Sequence, residues 1–129
     1  MDEAALNGDR GHAYESWEQV SGHFDGDGSL KVHAGVYSLT LEASWAGQDL
    51  EQLLGVKVFL GKQGVHGNIG RYRSGPETYY ELGVPESGNL LLLLKKMLTH
   101  VIKKKSQIAT AIDYLEKPNY GNSTRGDYE

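Results

Sequence analysis

A segment rich in glycine and aspartate, residues 21–29, holds the residue types with the clearest chemical potential. Gly22 and Gly26 lie four positions apart, so on a helix they would share one face and let a second backbone approach closely. Asp27 would lie at or just past the helix C-terminus, where the dipole disfavours a carboxylate by about 0.3–1 kcal/mol unless a cation offsets it. If two copies of this helix paired, two carboxylates and the last helical carbonyls would converge. Oxygen ligands of this kind suit Mg²⁺.

A calcium loop is the other chemistry that this segment suggests. An EF-hand loop beginning at Asp25 would need glycine at its sixth position and a carboxylate at its twelfth. Leu30 and Val36 occupy those two positions. The sequence therefore excludes an EF-hand at this place.

Hydrophobic periodicity predicts the elements that must position the segment. Apolar residues three and four apart predict a first helix over about residues 14–26, so Asp27 would lie where this helix meets the next element. The following elements are two strands on either side of a turn at Gly35, a helix over residues 48–60, a hairpin of residues 69–73 and 78–84, and helices over residues 89–98 and 104–117. The order αββαββα(α) predicts an α+β domain with a four-stranded antiparallel sheet and helices on one face.

Length and composition restrict the classes of protein. The 129 residues allow one domain, and the absence of cysteine excludes disulfide scaffolds, thiolate metal sites and cysteine nucleophiles. No apolar run approaches the ~20 residues of a membrane span. The first residues lack the pattern of a signal peptide, so secretion is not predicted. Residues 1–13 and 118–129 lack periodicity, and we expect them to be flexible tails around a domain of residues 14–117.

The net charge of −4 is distributed unevenly along the chain. Residues 1–28 carry seven acidic side chains and one basic side chain, whereas residues 85–129 carry seven basic and five acidic side chains. A bound polyanion responds to the local field rather than to the total charge. The acidic total therefore does not exclude a nucleic-acid partner.

The segment SGHFDGDGSL, residues 21–30, resembles the LAGLIDADG motif of homing endonucleases. In the right order, residues 68–73 resemble that family's third strand with its paired arginines, residues 79–82 its fourth strand, and residues 103–107 its lysine-rich turn. The resemblance covers roughly residues 14–117 and implies the αββαββα fold, whose saddle-shaped sheet lies on DNA. Because the chain has one copy of the motif, it also implies a homodimer and a nearly palindromic target.

The resemblance implies an activity and its residues. The activity is site-specific, Mg²⁺-dependent cleavage of double-stranded DNA that leaves a staggered cut, with Mn²⁺ as a substitute metal. Asp27 would be the catalytic, metal-binding carboxylate, and Gly26 would offer its backbone carbonyl to the same ion. A catalytic lysine near the scissile phosphate is expected within Lys103–Lys105, where Lys103 is favoured and Lys104 is expected to contact DNA. The small size favours a free-standing or intron-encoded gene.

The motif helix would also form the dimer interface. Asp25 has two possible roles, because helical geometry points it away from the metal and allows a cap or surface role as well as an interface role. The interface residues expected from the resemblance are Ser21, Gly22, Asp25 and Gly26.

Alternation along the strands predicts which side chains face the duplex. If the leucines and valines of the first hairpin face the helices, the polar residues between them face DNA. Arginines suit guanine edges, and Glu42 and Glu81 can accept from cytosine amino groups. The predicted DNA-facing residues are Lys31, His33, Ser38, Thr40, Glu42 and Ser44 in the first hairpin, and Arg71, Arg73, Tyr79 and Glu81 in the second.

One position departs from the family pattern. Trp45 occupies the place, near the end of the second strand, where a family member has a polar side chain that organises water. Tryptophan cannot perform this role, which favours a non-cleaving nucleic-acid binder of the same fold, such as an intron maturase or a regulator. A structural dimer or a metal-binding module unrelated to DNA is a further alternative.

Overall fold

The computed structural model describes residues 14–117, so the two predicted tails lie outside the described part of the chain. It confirms the predicted α+β class and the order of elements. The elements are α1 (Trp17–Asp27), β1 (Gly28–Ala34), β2 (Leu39–Gly47), α2 (Leu50–Lys62), β3 (Asn68–Ser74), β4 (Glu77–Pro85), a 3-10 turn (Glu86–Gly88), α3 (Leu90–Leu98) and α4 (Lys105–Leu115).

The four strands form one antiparallel sheet in the order β1-β2-β4-β3. On β2 and β4, Trp45 pairs with Leu82 and Ala43 pairs with Val84, and all four side chains are fully buried. Opposed residues of an antiparallel pair project to the same face, so these pairs identify the face that the helices cover. The residues between them in sequence project to the other face, which we call the open face.

The core between the sheet and the helices explains the leucine-rich helix α3. Leu90, Leu93, Leu94 and Met97 are fully buried, which confirms that the leucine run is core. Trp17 of α1 packs edge-on against Phe59 of α2, with ring centroids 5.3 Å apart, so the two helices share this core. Between residues 14 and 117, no helix combines the length and the apolar character that crossing a membrane would need.

Helix α1 is defined sharply at both ends. Its N-terminus is closed by a capping box, in which the Ser16 hydroxyl accepts from the Gln19 backbone and the Gln19 side chain accepts from the Ser16 backbone. Its last residue, Asp27, is followed directly by Gly28, the first residue of β1. A Cβ on Gly28 would lie 2.2 Å from Cδ1 of Phe24, so only glycine allows the strand to start against this ring. Asp27 is thereby fixed at the junction of helix and strand.

Candidate functional site

Asp27 occupies the exposed end of α1, as predicted. Its side chain is 66% exposed, and Gly22 and Gly26 are also exposed on the same helix. A Cβ added at either glycine would meet no atom of the described residues within 4 Å. The structure therefore leaves this glycine face of α1 open to a second molecule.

Ser21 corrects part of the predicted interface. Its side chain is fully buried, although Gly22, the next residue, is exposed. A residue with no accessible surface cannot contact a second copy of this conformation, so its placement in a dimer interface is wrong. Side chains three residues apart on a helix point in similar directions, and Ser21 follows the buried Phe24 toward the core.

Asp25 has the cap role that helical geometry allowed. Its carboxylate accepts from three consecutive backbone N–H groups: Ile102 and Lys103 donate to Oδ2 at 2.9 and 3.0 Å, and Lys104 donates to Oδ1 at 2.9 Å. The backbone hydrogen bond from Lys103, ahead of the other two, lowers the pKa of Asp25. Asp25 thus holds the lysine-rich turn against the end of α1, across 77 to 79 residues of sequence.

Lys104 completes this connection from the other side. Its Nζ donates to the backbone carbonyl of Asp25 at 2.7 Å and lies 5.9 Å from the centroid of the Phe24 ring. The last turn of α1 has no basic residue of its own, so Lys104 supplies the cation that the negative end of the helix dipole favours. Lys103 and Lys105, in contrast, are exposed. The structure therefore gives Lys104 a fixed ammonium position beside the motif.

Asp25→Asn is expected to loosen the lysine-rich turn. The amide keeps the size of the side chain but removes the charge and one acceptor oxygen, so a backbone N–H of the turn loses its partner. We expect the amide protons of Ile102 and Lys103 to exchange with solvent at least about tenfold faster. Hydrogen exchange followed by NMR measures this directly. Asp113→Asn, an exposed aspartate of α4, is the matched control.

The same contact has a defined pH dependence. Because folding lowers the pKa of Asp25, its stabilisation is present above the pKa of the unfolded carboxyl and is lost as the pH falls through the folded value. Acidification should therefore lower the protection of these two amides in the wild type, measured as their exchange rate relative to the unstructured rate at the same pH, and should leave their protection in Asp25→Asn unchanged. Equal protection in both proteins would contradict the role of Asp25 as the anchor of the turn.

The register of the first hairpin confirms the predicted open-face parity. Lys31 pairs with Glu42, and His33 pairs with Thr40. These pairs alternate along the strands with pairs such as Leu30 and the buried Ala43, so they project to the open face. Ser38 lies outside the paired register, in the turn where its carbonyl accepts from the Gly35 N–H at 2.7 Å. The open face includes Ser29, Lys31, His33, Thr40, Glu42, Tyr72, Tyr79 and Glu81. Ser44 lies on the same face of β2 but is 2% exposed, and its hydroxyl lies 3.1 Å from Ser29 Oγ. The prediction that Ser44 contacts DNA is therefore wrong, because its side chain is covered within the chain.

The prediction that Arg71 and Arg73 share this face is wrong. Arg71 pairs with Tyr80 and Arg73 pairs with Thr78, the residues of β4 that alternate with Tyr79. Ser74 and Glu77 close the hairpin around two residues, Gly75 and Pro76, so odd-numbered residues of β3 lie opposite even-numbered residues of β4. Both arginines are exposed on the edge strand, but they project to the helix-covered side of the sheet.

Tyr72 takes the place on the open face that the arginines were expected to hold. It pairs with Tyr79, and the two rings stack with centroids 5.7 Å apart and planes 21° apart. The Tyr72 side chain remains 45% exposed. The length of the hairpin turn is the signal that would have identified it, because a two-residue turn fixes the parity of both strands.

Charged side chains of the open face are paired with one another. The Lys31 ammonium pairs with Glu81 across β2, and this hydrogen bond raises the pKa of Lys31. His33 Nε2 lies 2.7 Å from Glu42 Oε1. Both predicted cytosine-reading glutamates thus already have partners in the free protein. A bound ligand would have to exchange with these contacts.

Solved structures with this arrangement come from DNA-bound homing endonucleases. Two are of the homing endonuclease I-CvuI, one with the I-CreI target and 2 mM Mg, in which the DNA is not cleaved, and one with its own target and 2 mM Ca. They are 20% and 19% identical to this chain, with TM-scores of 0.66 and 0.68, and each alignment covers 84% of this chain and 71% of that chain. The LAGLIDADG meganuclease I-AabMI, bound to uncleaved DNA, is 17% identical with a TM-score of 0.62, covering 89% of this chain and 45% of that chain. No protein-family model and no curated protein matches the sequence. This chain has the LAGLIDADG homing-endonuclease fold.

Within this LAGLIDADG fold, Trp45 is a core residue. Its side chain is fully buried on the helix-covered face, and its ring packs edge-on against Phe24, with centroids 5.0 Å apart. The indole Nε1 has no hydrogen-bond partner among residues 14–117. Trp45 therefore stabilises the end of α1 through packing, and it offers no polar group to solvent at the site.

Residues 14–117 of one chain supply only part of a metal site. In the part of the chain that the structure describes, no three His, Cys, Asp or Glu side chains cluster as metal ligands. The end of α1 offers the Asp27 carboxylate and the neighbouring Gly26 carbonyl. These oxygens are the right chemical type for Mg²⁺ but too few for its six-coordinate shell.

Proposed function

We propose that this chain is a LAGLIDADG homing endonuclease that cleaves double-stranded DNA at a long, nearly palindromic site as a homodimer. The observation that carries the proposal is the exposed Asp27 carboxylate at the end of a helix whose glycine face is left open by residues 14–117. The fold shared with DNA-bound endonucleases supports a duplex as the substrate. Hydrolysis of a phosphodiester at this carboxylate gives staggered cuts when two copies act on opposite strands.

Two copies of α1 would supply a donor set that fits Mg²⁺, with Mn²⁺ as a substitute. Asp27 and the Gly26 carbonyl of each copy would hold the metal, and water and DNA phosphate oxygens complete the six oxygen ligands that Mg²⁺ prefers. Bound divalent ions activate water and neutralise charge on the phosphoryl and leaving oxygens. Two adjacent carboxylates also need such cations in order to remain ionised together.

The dimer is supported by the shape of α1 and by chain length. Gly22 and Gly26 allow two helix backbones to approach closely, and both are exposed in the single chain. The match to I-AabMI covers 45% of that chain, which leaves room there for a second unit of the same size. Two copies of the present chain would provide the equivalent mass.

We assign the lysine near the scissile phosphate to Lys104 in preference to Lys103, which the sequence favoured. The Lys104 ammonium is held at the end of α1 by the Asp25 carbonyl, whereas Lys103 contributes its backbone N–H and has an exposed side chain. A fixed cation beside the reacting phosphate stabilises developing charge without reorganisation. Lys103 and Lys105 would then contact flanking phosphates.

Lys104→Met is expected to reduce single-turnover cleavage by about 10²–10³-fold. Lys103→Met and Lys105→Met each remove the same single positive charge from the turn, and they serve as controls that we expect to change cleavage by less than about tenfold. Gel-shift titrations in Ca²⁺ separate lost binding from lost chemistry. A large loss of cleavage rate in Lys103→Met, with normal cleavage by Lys104→Met, would identify Lys103 as the lysine near the scissile phosphate.

The open face is proposed to lie in the major groove. Lys31 and Glu81 form an adjacent donor and acceptor pair, which matches the guanine acceptors and the cytosine amino group of one G·C pair. Thr40, His33 and Glu42 continue this surface, together with the stacked Tyr72 and Tyr79. Arg71, Arg73 and the lysine-rich turn provide cations at the edges, where phosphates pass.

The proposal is tested by selection of cleaved sites from a randomised DNA library in Mg²⁺. Recovery of one long site with near two-fold symmetry, cut on both strands, supports it. The second candidate, a non-cleaving nucleic-acid binder, is favoured by the burial of Trp45 where a polar residue was expected. Specific binding in Ca²⁺ that is never followed by cleavage in Mg²⁺ or Mn²⁺ would select that candidate. Salt-independent binding would contradict both.

A further inference from the structure

A short polar chain leads from the start of the domain to Asp27. The Tyr14 hydroxyl lies 3.0 Å from His23 Nδ1, and His23 Nε2 lies 3.6 Å from Asp27 Oδ2. The Tyr14 and His23 rings stack, with centroids 6.0 Å apart and planes 17° apart. The His23 side chain is only 8% exposed, whereas that of Asp27 is 66% exposed. A nearly buried imidazole therefore connects a tyrosine hydroxyl to an exposed carboxylate.

We propose that His23 is a positioning residue for the Asp27 carboxylate, to which it offers Nε2–H so that Oδ2 is held and Oδ1 stays free for a metal ion. This inference rests on the proposed function of Asp27 as a metal ligand. It adds a residue that is one turn before Asp27 on the same helix. Ligating carboxylates are commonly held by such outer hydrogen bonds, which orient them for the metal.

The hydrogen-bond partners select the tautomer of His23. When the Tyr14 hydroxyl donates to Nδ1, the ring proton is on Nε2 and faces the carboxylate. The other tautomer would place the Nε2 lone pair opposite a negative oxygen, which is electrostatically unfavourable. Tyr14 therefore acts on Asp27 through the imidazole, because it determines which nitrogen carries the proton.

The distance and the exposure of Asp27 define what the contact can do. At 3.6 Å the two atoms are beyond hydrogen-bond length, so the free protein holds the carboxylate by a weak electrostatic contact. Asp27 is largely exposed and can change rotamer, whereas His23 is fixed by the Tyr14 hydroxyl and by burial. The imidazole thus limits the orientations of the carboxylate. Packing alone would be satisfied equally well by phenylalanine, and this distinguishes the two roles.

The test compares variants that keep the ring or keep the donor. His23→Phe preserves an aromatic ring and removes the donor, His23→Gln keeps an N–H donor, and Tyr14→Phe removes only the hydroxyl. Mn²⁺ binding to the full-length protein is measured by EPR titration, with Asp27→Asn as the reference for a lost ligand. We expect His23→Phe to weaken Mn²⁺ binding about tenfold or more, Tyr14→Phe to weaken it less, and His23→Gln to restore most of it.

A second measurement does not depend on a metal. Long-range ¹H–¹⁵N NMR spectra of the wild type report which ring nitrogen of His23 carries the proton, and we expect Nε2. Wild-type Mn²⁺ affinity in a folded His23→Phe, or a proton on Nδ1 in the wild type, would overturn the inference. If His23→Phe does not fold, the inference is overturned when Tyr14→Phe binds Mn²⁺ with wild-type affinity and the wild-type ring carries its proton on Nδ1. Mn²⁺ binding by Asp27→Asn equal to the wild type would instead overturn the proposed function, and with it this inference.

Discussion

Asp27→Asn is expected to abolish DNA cleavage while leaving binding of the target nearly unchanged. Asparagine has the same shape but lacks the charge that holds a divalent cation. Loss of the several kcal/mol that a bound metal contributes to the transition state corresponds to at least about 10³-fold in rate. Single-turnover cleavage in Mg²⁺ and gel-shift titration in Ca²⁺ measure the two properties separately.

The same substitution has an expected effect on stability. A carboxylate at the C-terminal end of α1 is disfavoured by the helix dipole, and the Lys104 ammonium offsets part of this cost, so the asparagine variant should gain at most about 0.3–1 kcal/mol in the free energy of unfolding without metal. Asp113→Asn, which changes an exposed aspartate of α4 in the same way, should keep full cleavage. Cleavage by Asp27→Asn at the wild-type rate would refute the assigned role of this carboxylate.

Gly22→Leu is expected to convert the dimer to a monomer and thereby to remove cleavage. A side chain at this position meets nothing in the described chain, so the subunit itself should fold, and leucine is also a better helix former than glycine. A second α1 packed against the glycine face would have no room for it. Light scattering coupled to size-exclusion chromatography measures the mass of each variant.

Gly61→Leu provides the matched control for this substitution. Gly61 is also an exposed helical glycine with open space around its Cβ, but it lies near the end of α2. We expect this variant to remain a dimer and to cleave normally. A dimeric, active Gly22→Leu would show that the glycine face is not the interface, and the proposed site shared by two subunits would then have no basis.

Local patterns in the sequence were sufficient to predict the helices and strands and their order. Helical spacing in α1 and alternation in β1 and β2 reflect the burial of one face, and such patterns predict both the type of element and the face that it covers. The predicted start of α1 was three residues too early, because Ser16 caps the helix and Tyr14 precedes it. Asp27 at the end of this helix followed from the same local pattern.

Contacts between distant segments could not be predicted in this way. Asp25 and the turn at Lys103 are 78 residues apart, and nothing in either segment alone indicates that a carboxylate will accept three backbone N–H groups there. The side assigned to Arg71 and Arg73 failed for a different reason, because parity in a hairpin depends on the number of residues in its turn. The contact between His23 and Asp27 could have been predicted from the sequence, since residues four apart on a helix are neighbours.

The direct passage from α1 into β1 has a consequence for the geometry of the target. No loop separates Asp27 from Gly28, and the Phe24 ring packs against Gly28, so the relative orientation of α1 and β1 is tightly constrained. In a dimer joined through α1, the two open faces would then keep a constant spacing and a constant relative rotation. The number of base pairs between the two half-sites would be set by the protein, and sequence variation would be tolerated within a half-site more readily than any change of length at the centre.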